Sequence, residues 1–489
     1  MATAEVEEQH LVQSLTWWDG FVVALANPAF LIAALGASIG ALGTLGAVVL
    51  WTFSVLVGAL QNNIYGELAT MFKDKAGGIT LFAHEAWRKY ATFVGPLATF
   101  GYWFAWSSVL AVTGIVVGTL VQAQFFESTT WTASGGGFDL SLPILIGMAA
   151  MILVAGMNMV GLRQSVAFTY LTGAMLCLPL AVLMFLPYVS GDFSSGNLDW
   201  NIGEGGGLPL VLVWLYFMGW SSYGFEAVAS LAPEYRDPEK DTPRALRASA
   251  AFSVAVYALL PLGLGGTLST EAVTADETFV AFYSTAFEAI VGSGLANVMI
   301  ICLVAGLLLS LNTAVLDGSR ALYGIARDGM TVRQLGVLNR AQVPGRAIVV
   351  ALVMNLFLIS FFASAVEIFA AGNLGYMLAH VFALSGFLLL RRDRPNWPRP
   401  LRLSSAWVVI AGVLAVWNLV LVIFGGFVFA EEYGYGFDKT LIGVGVLALS
   451  LVLWVFRRVG QDRKPLQLRD PVPDVPENAE KVGAPVGVA

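Results

Sequence analysis

The chain has 489 residues, of which 57% are hydrophobic and only 12% are charged, whereas soluble globular proteins carry about 25% charged residues. A mean hydropathy of +0.75 is too high for a soluble fold of this length, because a surface in water needs polar side chains. The net charge of −7 argues against a nucleic-acid-binding protein, and Cys177 and Cys302 give neither a disulfide framework nor a metal-ligand spacing. The composition therefore indicates a polytopic membrane protein.

Apolar stretches of about 20 residues, the length of a helix that crosses the hydrocarbon layer, follow one another along the chain. Twelve are predicted, near 19–42, 45–71, 95–124, 141–160, 164–190, 208–232, 246–268, 291–325, 346–364, 366–390, 406–429 and 438–457. They are continuously apolar rather than alternating, which argues against transmembrane β-strands. We therefore expect an all-α polytopic membrane protein with twelve transmembrane helices.

The positions of the cations predict the orientation of these helices. If the N-terminal segment 1–18 is cytoplasmic, every Lys and Arg except Lys439 lies on the inner side, as the positive-inside rule requires. The first ten residues contain three Glu and no Lys or Arg, so no signal peptide is expected. The polar, proline-containing segment 458–489 is expected to be a disordered tail. The sequence thus predicts an integral protein of the plasma (inner) membrane with both termini cytoplasmic.

Two of the predicted helices contain residues that interrupt a helix at membrane depth. The first contains Pro28 within the run 26–30, and the sixth contains Ser221, Ser222, Gly224 and a carboxylate within 220–226. Proline removes a backbone donor, and broken helices in corresponding positions of two repeats mark the binding site of inverted-repeat transporters. The alternative interpretation is a simple kink and close packing of small residues between neighbouring helices.

Ionisable side chains inside membrane segments are costly and are functional candidates. Glu226 is a candidate for ion coupling or substrate contact, with a structural hydrogen-bonded carboxyl as the alternative. Asp317 either attracts a cation in the inward pathway or pairs with Arg320, three residues later on the same helix face. Glu67 is expected to form a structural ion pair, and His380 is either a packed residue or a proton relay.

Four motifs in order along the chain resemble signatures of the amino acid–polyamine–organocation superfamily. They are Tyr65-Gly66-Glu67-Leu68 with Gly77-Gly78, Gly224-Phe225-Glu226 followed by Pro233–Ala245, Ser319–Gly329, and Leu390–Pro395 ahead of Arg399-Pro400. The resemblance implies a LeuT-like fold, in which five helices and the same five inverted form a core over 19–403 and two peripheral helices follow over 404–457. It also implies alternating access around a site between discontinuous helices 1 and 6. Trp220 stands where exchangers of the family carry a gating aromatic residue, and Glu226 at the acidic position linked to proton coupling.

The chain departs from the superfamily at two places. Members that carry α-amino acids usually have G-(S/T)-G at the break of helix 1, whereas this chain has Asn27-Pro28-Ala29, and Pro28 has no N–H for a substrate carboxylate. Either Asn27, Ala29 or Phe30 holds the carboxylate, or the substrate lacks one. Helix 5 also lacks the Lys that replaces sodium in some proton-coupled members, and Leu176 stands near its position.

The resemblance and the residues together imply a secondary active transporter for amino acids or related small organic amines and polyamines, proton-coupled or exchanging. The candidate substrate-binding residues are Ala26, Asn27, Ala29, Phe30, Trp106, Trp220, Ser221, Ser222 and Tyr223. Coupling is assigned to Glu226 and Asp317, and a sodium ion, the less favoured coupling ion, would use Ser310 and Thr313. The expected partners are the small-molecule substrate, membrane lipid and a coupling ion; no enzyme activity, cofactor or metal site is expected. The alternatives are a sodium-coupled symporter of the same fold and a non-transporting membrane sensor that binds amines.

Overall fold

The computed structural model describes residues 13–135, 138–203, 205–275, 278–362 and 365–473, and most of them are helical. The α-helices are α1 Trp17–Ala24, α2 Asn27–Leu42, α3 Thr44–Met71, α4 Gly78–Trp87, α5 Val94–Phe125, α6 Leu142–Val160, α7 Leu162–Ser190, α8 Gly207–Ser222, α9 Pro238–Thr267, α10 Thr270–Thr274, α11 Phe282–Val291, α12 Ser293–Arg327, α13 Gly345–Phe361, α14 Ala365–Asp393, α15 Ala406–Val420, α16 Ala430–Tyr433 and α17 Phe437–Val455. An antiparallel hairpin, β1 Thr132–Gly135 and β2 Phe138–Ser141, precedes α6. The 3-10 helices are Ser195–Asn197, Gly224–Glu234 and Arg333–Leu335, and π-helical turns cover Leu421–Val428 and Phe456–Gln461.

Eleven helical segments of the described ranges are long and apolar enough to cross a membrane. The predicted ninth span corresponds to α13, which is apolar but has 17 residues, about the shortest length that spans the hydrocarbon layer. The prediction of a helical polytopic membrane protein is confirmed. The count of twelve helices and the inverted repeat stay predictions.

The first membrane segment lies at the centre of the fold. In the most apolar 18 residues of Trp17–Leu42, 100% of the stretch is buried inside the protein. In the corresponding stretch of Phe437–Gln461, only 22% is buried. An apolar helix covered on all sides is surrounded by protein, and a largely uncovered one faces lipid. The segments containing α2, α5, α8 and α12 therefore form the interior, and the last two segments lie at the edge.

The interruption predicted in the first segment is present. Helix α1 ends at Ala24, residues 25 and 26 form a turn, and α2 begins at Asn27. Because Pro28 has no N–H, it cannot complete the α-helical hydrogen bond to the carbonyl of Ala24. Proline is tolerated in the first turn of a helix, where that donor has no intrahelical partner, so the chain restarts as α2.

The sixth segment is also interrupted where the sequence predicts it. Helix α8 ends at Ser222, and the chain continues from Gly224 to Glu234 as a 3-10 helix. A 3-10 helix has three residues per turn instead of 3.6. Side chains after Gly224 therefore point in directions that an uninterrupted α-helix would not give them.

The predicted tail begins in contact with the rest of the molecule. The hydroxyl of Thr92 donates to the carbonyl of Gln467 at 2.6 Å, and the N–H of Asp470 donates to the carbonyl of Arg88 at 2.8 Å. The disorder expected from residue 458 onward is thus not found up to residue 473, because backbone groups of this stretch have partners in the loop between α4 and α5. Residues 474–489 and the first twelve residues, including the stretch tested for a signal peptide, lie outside the described residues.

Candidate functional site

The two interrupted segments touch each other through Gly224 and Asn27. A Cβ at Gly224 would lie 2.7 Å from Oδ1 of Asn27 and 3.2 Å from the ring of Phe30, so a larger residue here would displace the Asn27 side chain. The hydroxyl of Tyr257, on α9, lies 3.0 Å from the carbonyl oxygen of Asn27 and 2.9 Å from that of Ser221. Ser221 lies in the last turn of α8, where carbonyl groups lack intrahelical partners, whereas Asn27 begins α2. The Tyr257 hydroxyl thus lies within hydrogen-bonding distance of one backbone carbonyl at each break.

A small cavity lies beside the breaks. Its volume is about 10 Å³, close to what a single water molecule needs, so a substrate would enter only after the lining side chains move apart. Its lining residues are Phe30 from α2, Ala105, Trp106 and Val109 from α5, Trp220 from α8 and Tyr376 from α14.

Aromatic rings pack against one another around this cavity. The Phe30 ring centroid lies 5.6 Å from that of Trp106 and 5.6 Å from that of Trp220, and the Trp220 ring stacks on Phe369 at 5.3 Å. All four residues are buried. Because an indole face attracts cations, with about 2 kcal/mol available when the pair is desolvated, this wall suits a ligand that carries an ammonium group.

Glu226 lies directly behind the cavity wall. Its Oε1 accepts hydrogen bonds from Nε1 of Trp106 at 3.3 Å and from the hydroxyl of Tyr376 at 3.0 Å. Both donors line the cavity. The other carboxyl oxygen, Oε2, has no hydrogen-bond partner among the described residues. A change in the charge of this carboxyl is therefore transmitted to two cavity-lining side chains through one hydrogen bond each.

Asp317 is the second buried carboxyl of the site. Its Oδ1 accepts a hydrogen bond from the hydroxyl of Ser230 at 2.5 Å, and its Oδ2 has no hydrogen-bond partner among the described residues. The Tyr102 phenol interacts with the carboxyl groups of both Asp317 and Glu226, so it connects the two acids of the site.

The alternative in which Asp317 pairs with Arg320 is wrong. Arg320 reaches across to Glu234, with Nε to Oε1 at 2.6 Å and Nη2 to Oε2 at 3.4 Å. Helical spacing permits the i,i+3 pair, but the end of the sixth segment brings a better-placed, bidentate partner to this arginine.

Comparison with known proteins agrees with this architecture. A family model described as amino acid permease matches residues 15–434, which is most of the chain. The chain belongs to the amino acid permease family of the amino acid–polyamine–organocation superfamily. The resemblance read from the four sequence motifs is confirmed.

Characterised relatives of this permease share about a quarter of its residues. It is 24% identical over 355 residues to the amino-acid permease RocE of Bacillus subtilis, covering 68% of this chain and 70% of RocE. It is 26% identical over 336 residues to the gamma-aminobutyric acid permease of Bacillus subtilis, covering 64% and 66% of the two chains. The D-serine/D-alanine/glycine transporter of Escherichia coli O6:H1 is 25% identical over 382 residues, covering 70% of this chain and 76% of the transporter.

Only part of the predicted binding set faces the permease cavity. Phe30, Trp106 and Trp220 line it, whereas the hydroxyl of Ser222 contacts that of Ser54 at 2.6 Å and the Tyr223 ring packs on His380 at 5.3 Å. Both of these side chains therefore point toward α3 and α14.

The predicted residues at the first break are buried and lie beside the cavity. Asn27 lies against Gly224, with Nδ2 donating to the hydroxyl of Ser253 at 3.3 Å and Oδ1 without a partner among the described residues. Ala26 is in the turn, and the N–H of Ala29 already donates to its carbonyl at 3.1 Å. The side chain of Asn27 is thus the more available polar group here.

The two candidate sodium ligands on α12 already make hydrogen bonds. Thr313 donates to the carbonyl of Val23, at the end of α1, at 3.2 Å, and Ser310 donates to the carbonyl of Leu307 at 2.8 Å. Among the described residues, no group of three His, Cys, Asp or Glu could hold a metal ion.

Sequence reasoning missed part of the permease cavity. Ala105 and Val109 flank Trp106 at helical spacing and could have been found by projecting α5 from that residue. Tyr376 and Phe369 lie on α14. The only residue of α14 that the sequence marked as a functional candidate was His380, four residues after Tyr376. The ring of His380 packs on Tyr376 at 4.6 Å, and its Nδ1 lies 2.7 Å from the Tyr65 hydroxyl.

Ion pairs hold the ends of several segments together on the predicted inner side. Glu67 forms the expected ion pairs, with Arg391 at 2.5 Å and Arg399 at 3.2 Å. Glu85 on α4 binds Lys75 at 2.6 Å and Arg394 at 2.9 Å. Burial raises the pKa of Glu85, but attraction to Lys75 and the hydrogen bonds from Lys75 and Arg394 outweigh it and lower this pKa to about 2. The Glu85 carboxyl is therefore ionised at neutral pH.

Proposed function

We propose that this permease carries an amino acid or a related small organic amine across the membrane by alternating access, with the substrate bound in the aromatic cavity between its two broken segments. The observation that carries the proposal is the hydrogen bonding of cavity-lining Trp106 and Tyr376 to the buried Glu226 carboxyl. A ligand that contacts these side chains is then coupled to the charge of Glu226. Relatives of this chain include a cationic amino acid transporter of Arabidopsis thaliana, a gamma-aminobutyric acid permease and a D-serine/D-alanine/glycine transporter, which supports the substrate class.

The polar groups beside the cavity favour an ammonium group over a carboxylate. The unpartnered Oδ1 of Asn27 and the Glu226 and Asp317 carboxylates are acceptors, and the Trp220 ring offers a cation–π surface. At the break the N–H of Ala29 is already used and Pro28 has none, so a carboxylate has few donors. We therefore favour an organic amine or a cationic amino acid.

Proton coupling would proceed through Glu226. An ionised carboxylate only accepts hydrogen bonds, and such charge-assisted bonds are roughly twice as strong as neutral ones. Protonation at the partner-free Oε2 would weaken both bonds to Oε1, which frees Trp106 and Tyr376 to change position. Proton binding and rearrangement of the cavity wall would thus be linked.

Two other functions are compatible with parts of this arrangement. A sodium-coupled symporter would use the hydroxyls of Ser310 and Thr313 near the end of α1. A membrane sensor that binds amines without moving them would need the cavity but no alternation between its two sides.

Counterflow in proteoliposomes tests the proposal. Purified full-length protein is reconstituted with unlabelled L-arginine, γ-aminobutyrate, glycine or L-leucine inside, and uptake of the same labelled compound is measured. We expect accumulation of at least one compound, and a large loss in Trp220→Ala. Trp214→Ala is the matched control, because Trp214 is on the same helix but packs on Phe217 and does not line the cavity.

The outcomes separate the candidates. Binding of a compound without counterflow would identify a sensor, and uptake that needs a sodium gradient would identify the symporter. Equal loss in both tryptophan variants, at equal stability, would contradict the cavity assignment. Greater thermal stabilisation by amino acids than by their decarboxylated amines would contradict the preference for amines.

A further inference from the structure

A second cleft lies between α1 and the N-terminal part of α9, and it shares no lining residue with the aromatic cavity. It is open, has a volume of about 410 Å³, and is lined by Trp17, Arg244 and Arg247. The two arginines are three residues apart, so both lie on one face of α9. The cleft therefore presents two guanidinium groups and one indole ring to the same space.

Neither guanidinium group forms a hydrogen bond or ion pair with the residues that the structure describes. Arg244 and Arg247 are both exposed. Other cations nearby are occupied, since Arg236 donates to the carbonyl of Ser14 at 3.1 Å and Lys240 binds Asp237 at 2.8 Å. Within the described residues, the positive charge of these two arginines is therefore not neutralised.

The acidic side chains around the cleft are also occupied. Glu239 binds Lys73 at 2.6 Å, and Asp19 accepts from the hydroxyl of Tyr170 at 2.6 Å. The hydrogen bond from Lys240 is the main cause that lowers the pKa of Asp237, with a smaller effect of Arg244. The Asp237 carboxylate is therefore paired mainly with Lys240 and only weakly with Arg244.

An aromatic surface extends from the cleft along α1. Trp17 contacts Trp18 at 5.5 Å between ring centroids, Trp18 contacts Phe21 at 5.1 Å, and Phe21 contacts Phe252 of α9 at 5.7 Å. Trp18 remains 48% exposed. Tryptophan rings at the ends of membrane helices lie at the level of the lipid headgroups, so the cleft opens where phosphates and the first acyl carbons meet.

We propose that this cleft binds an anionic phospholipid, with Arg244 and Arg247 on its phosphate groups and the aromatic surface against its glycerol and upper acyl chain. Guanidinium groups match phosphate geometry and donate two parallel hydrogen bonds. Basic pockets between membrane helices recognise anionic headgroups in this way. The continuous aromatic surface selects a lipid over free phosphate, because inorganic phosphate has no apolar part to bury there.

The test compares lipids and variants on the full-length protein. Delipidated protein in detergent is titrated with phosphatidylglycerol, phosphatidylcholine or inorganic phosphate, and retained lipid is counted by native mass spectrometry alongside the unfolding temperature. We expect phosphatidylglycerol to bind more tightly than phosphatidylcholine. We expect the double variant Arg244→Gln/Arg247→Gln to bind phosphatidylglycerol roughly 30-fold more weakly than the wild type does. This factor follows from about 1 kcal/mol per basic residue and a tenfold loss of affinity per about 1.4 kcal/mol.

A charge-matched control keeps the test specific. Arg340→Gln/Arg402→Gln removes two other exposed arginines and is expected to leave phosphatidylglycerol binding unchanged. Equal weakening in both double variants, or no weakening in Arg244→Gln/Arg247→Gln, would overturn the proposal. If inorganic phosphate raised the unfolding temperature as much as phosphatidylglycerol does, the cleft would be a site for free anions, and this result would also overturn the proposal.

Discussion

The Arg320–Glu234 ion pair joins α12 to the 3-10 end of the sixth segment, and its removal should destabilise the protein strongly. The side chains are 4% and 1% exposed, and the guanidinium group binds both carboxyl oxygens, at 2.6 and 3.4 Å. Arg320→Gln leaves Glu234 buried without a counter-charge. Breaking a buried pair in this way costs about 3–5 kcal/mol, which is a large part of the stability of a typical domain.

A double-mutant cycle measures this pair directly. The free energy of unfolding of the full-length protein in detergent is followed by the fluorescence of its 14 tryptophans for Arg320→Gln, Glu234→Gln and the double variant. We expect the double variant to lose less than the sum of the single variants by about 1–3 kcal/mol, because it leaves no buried charge. The pair Lys240–Asp237, whose side chains are 69% and 43% exposed, should have a coupling energy below about 1 kcal/mol in the same kind of cycle. Additive losses at Arg320 and Glu234 would refute the reasoning.

Three further changes test other contacts. Glu226→Gln should abolish pH-driven uptake in proteoliposomes but leave counterflow measurable, and retained pH-driven uptake would remove Glu226 from coupling. Tyr257→Phe leaves two buried carbonyl groups at the breaks with one donor fewer, so the free energy of unfolding should fall by about 1–3 kcal/mol; an unchanged value would show that the phenol is dispensable there. The lowered pKa of Glu85, about 2 against an ordinary 4.5, corresponds to about 3 kcal/mol of stability. This contribution is complete above pH 4.5 and lost as the pH falls toward 2, so the deficit of Glu85→Gln should shrink over that range in unfolding measured against pH, and a constant deficit would contradict the ion-pair account.

The helix breaks could be predicted from the sequence because their causes are local. Pro28 lacks a backbone donor wherever it stands, and the Ser-Ser-Tyr-Gly run weakens α8 at a definite place. Burial of Glu226 likewise follows from its position within an apolar stretch. The aromatic residues nearest the breaks, Phe30 and Trp220, could be proposed for the same reason.

The directions of side chains beyond the breaks could not be predicted. Ser222 and Tyr223 are adjacent to Trp220 in sequence but face α3 and α14, because the turn at the end of α8 and the 3-10 geometry after it change the helical phase. The contribution of Tyr376 depends on how α14 packs against α5, which no local pattern encodes. The pairing of Arg320 with Glu234 rather than Asp317 depends on the same long-range packing.

Substrate protection of a cavity cysteine tests the central claim most directly. Cys177 and Cys302 are first replaced by Ala, and Ala105→Cys, on the cavity wall, is labelled with a methanethiosulfonate reagent in proteoliposomes. A compound that supports counterflow should slow labelling of this variant severalfold and leave labelling of Ser128→Cys, in an exposed loop, unchanged. Labelling of Ala105→Cys at the same rate with and without saturating substrate would contradict a binding site in this cavity.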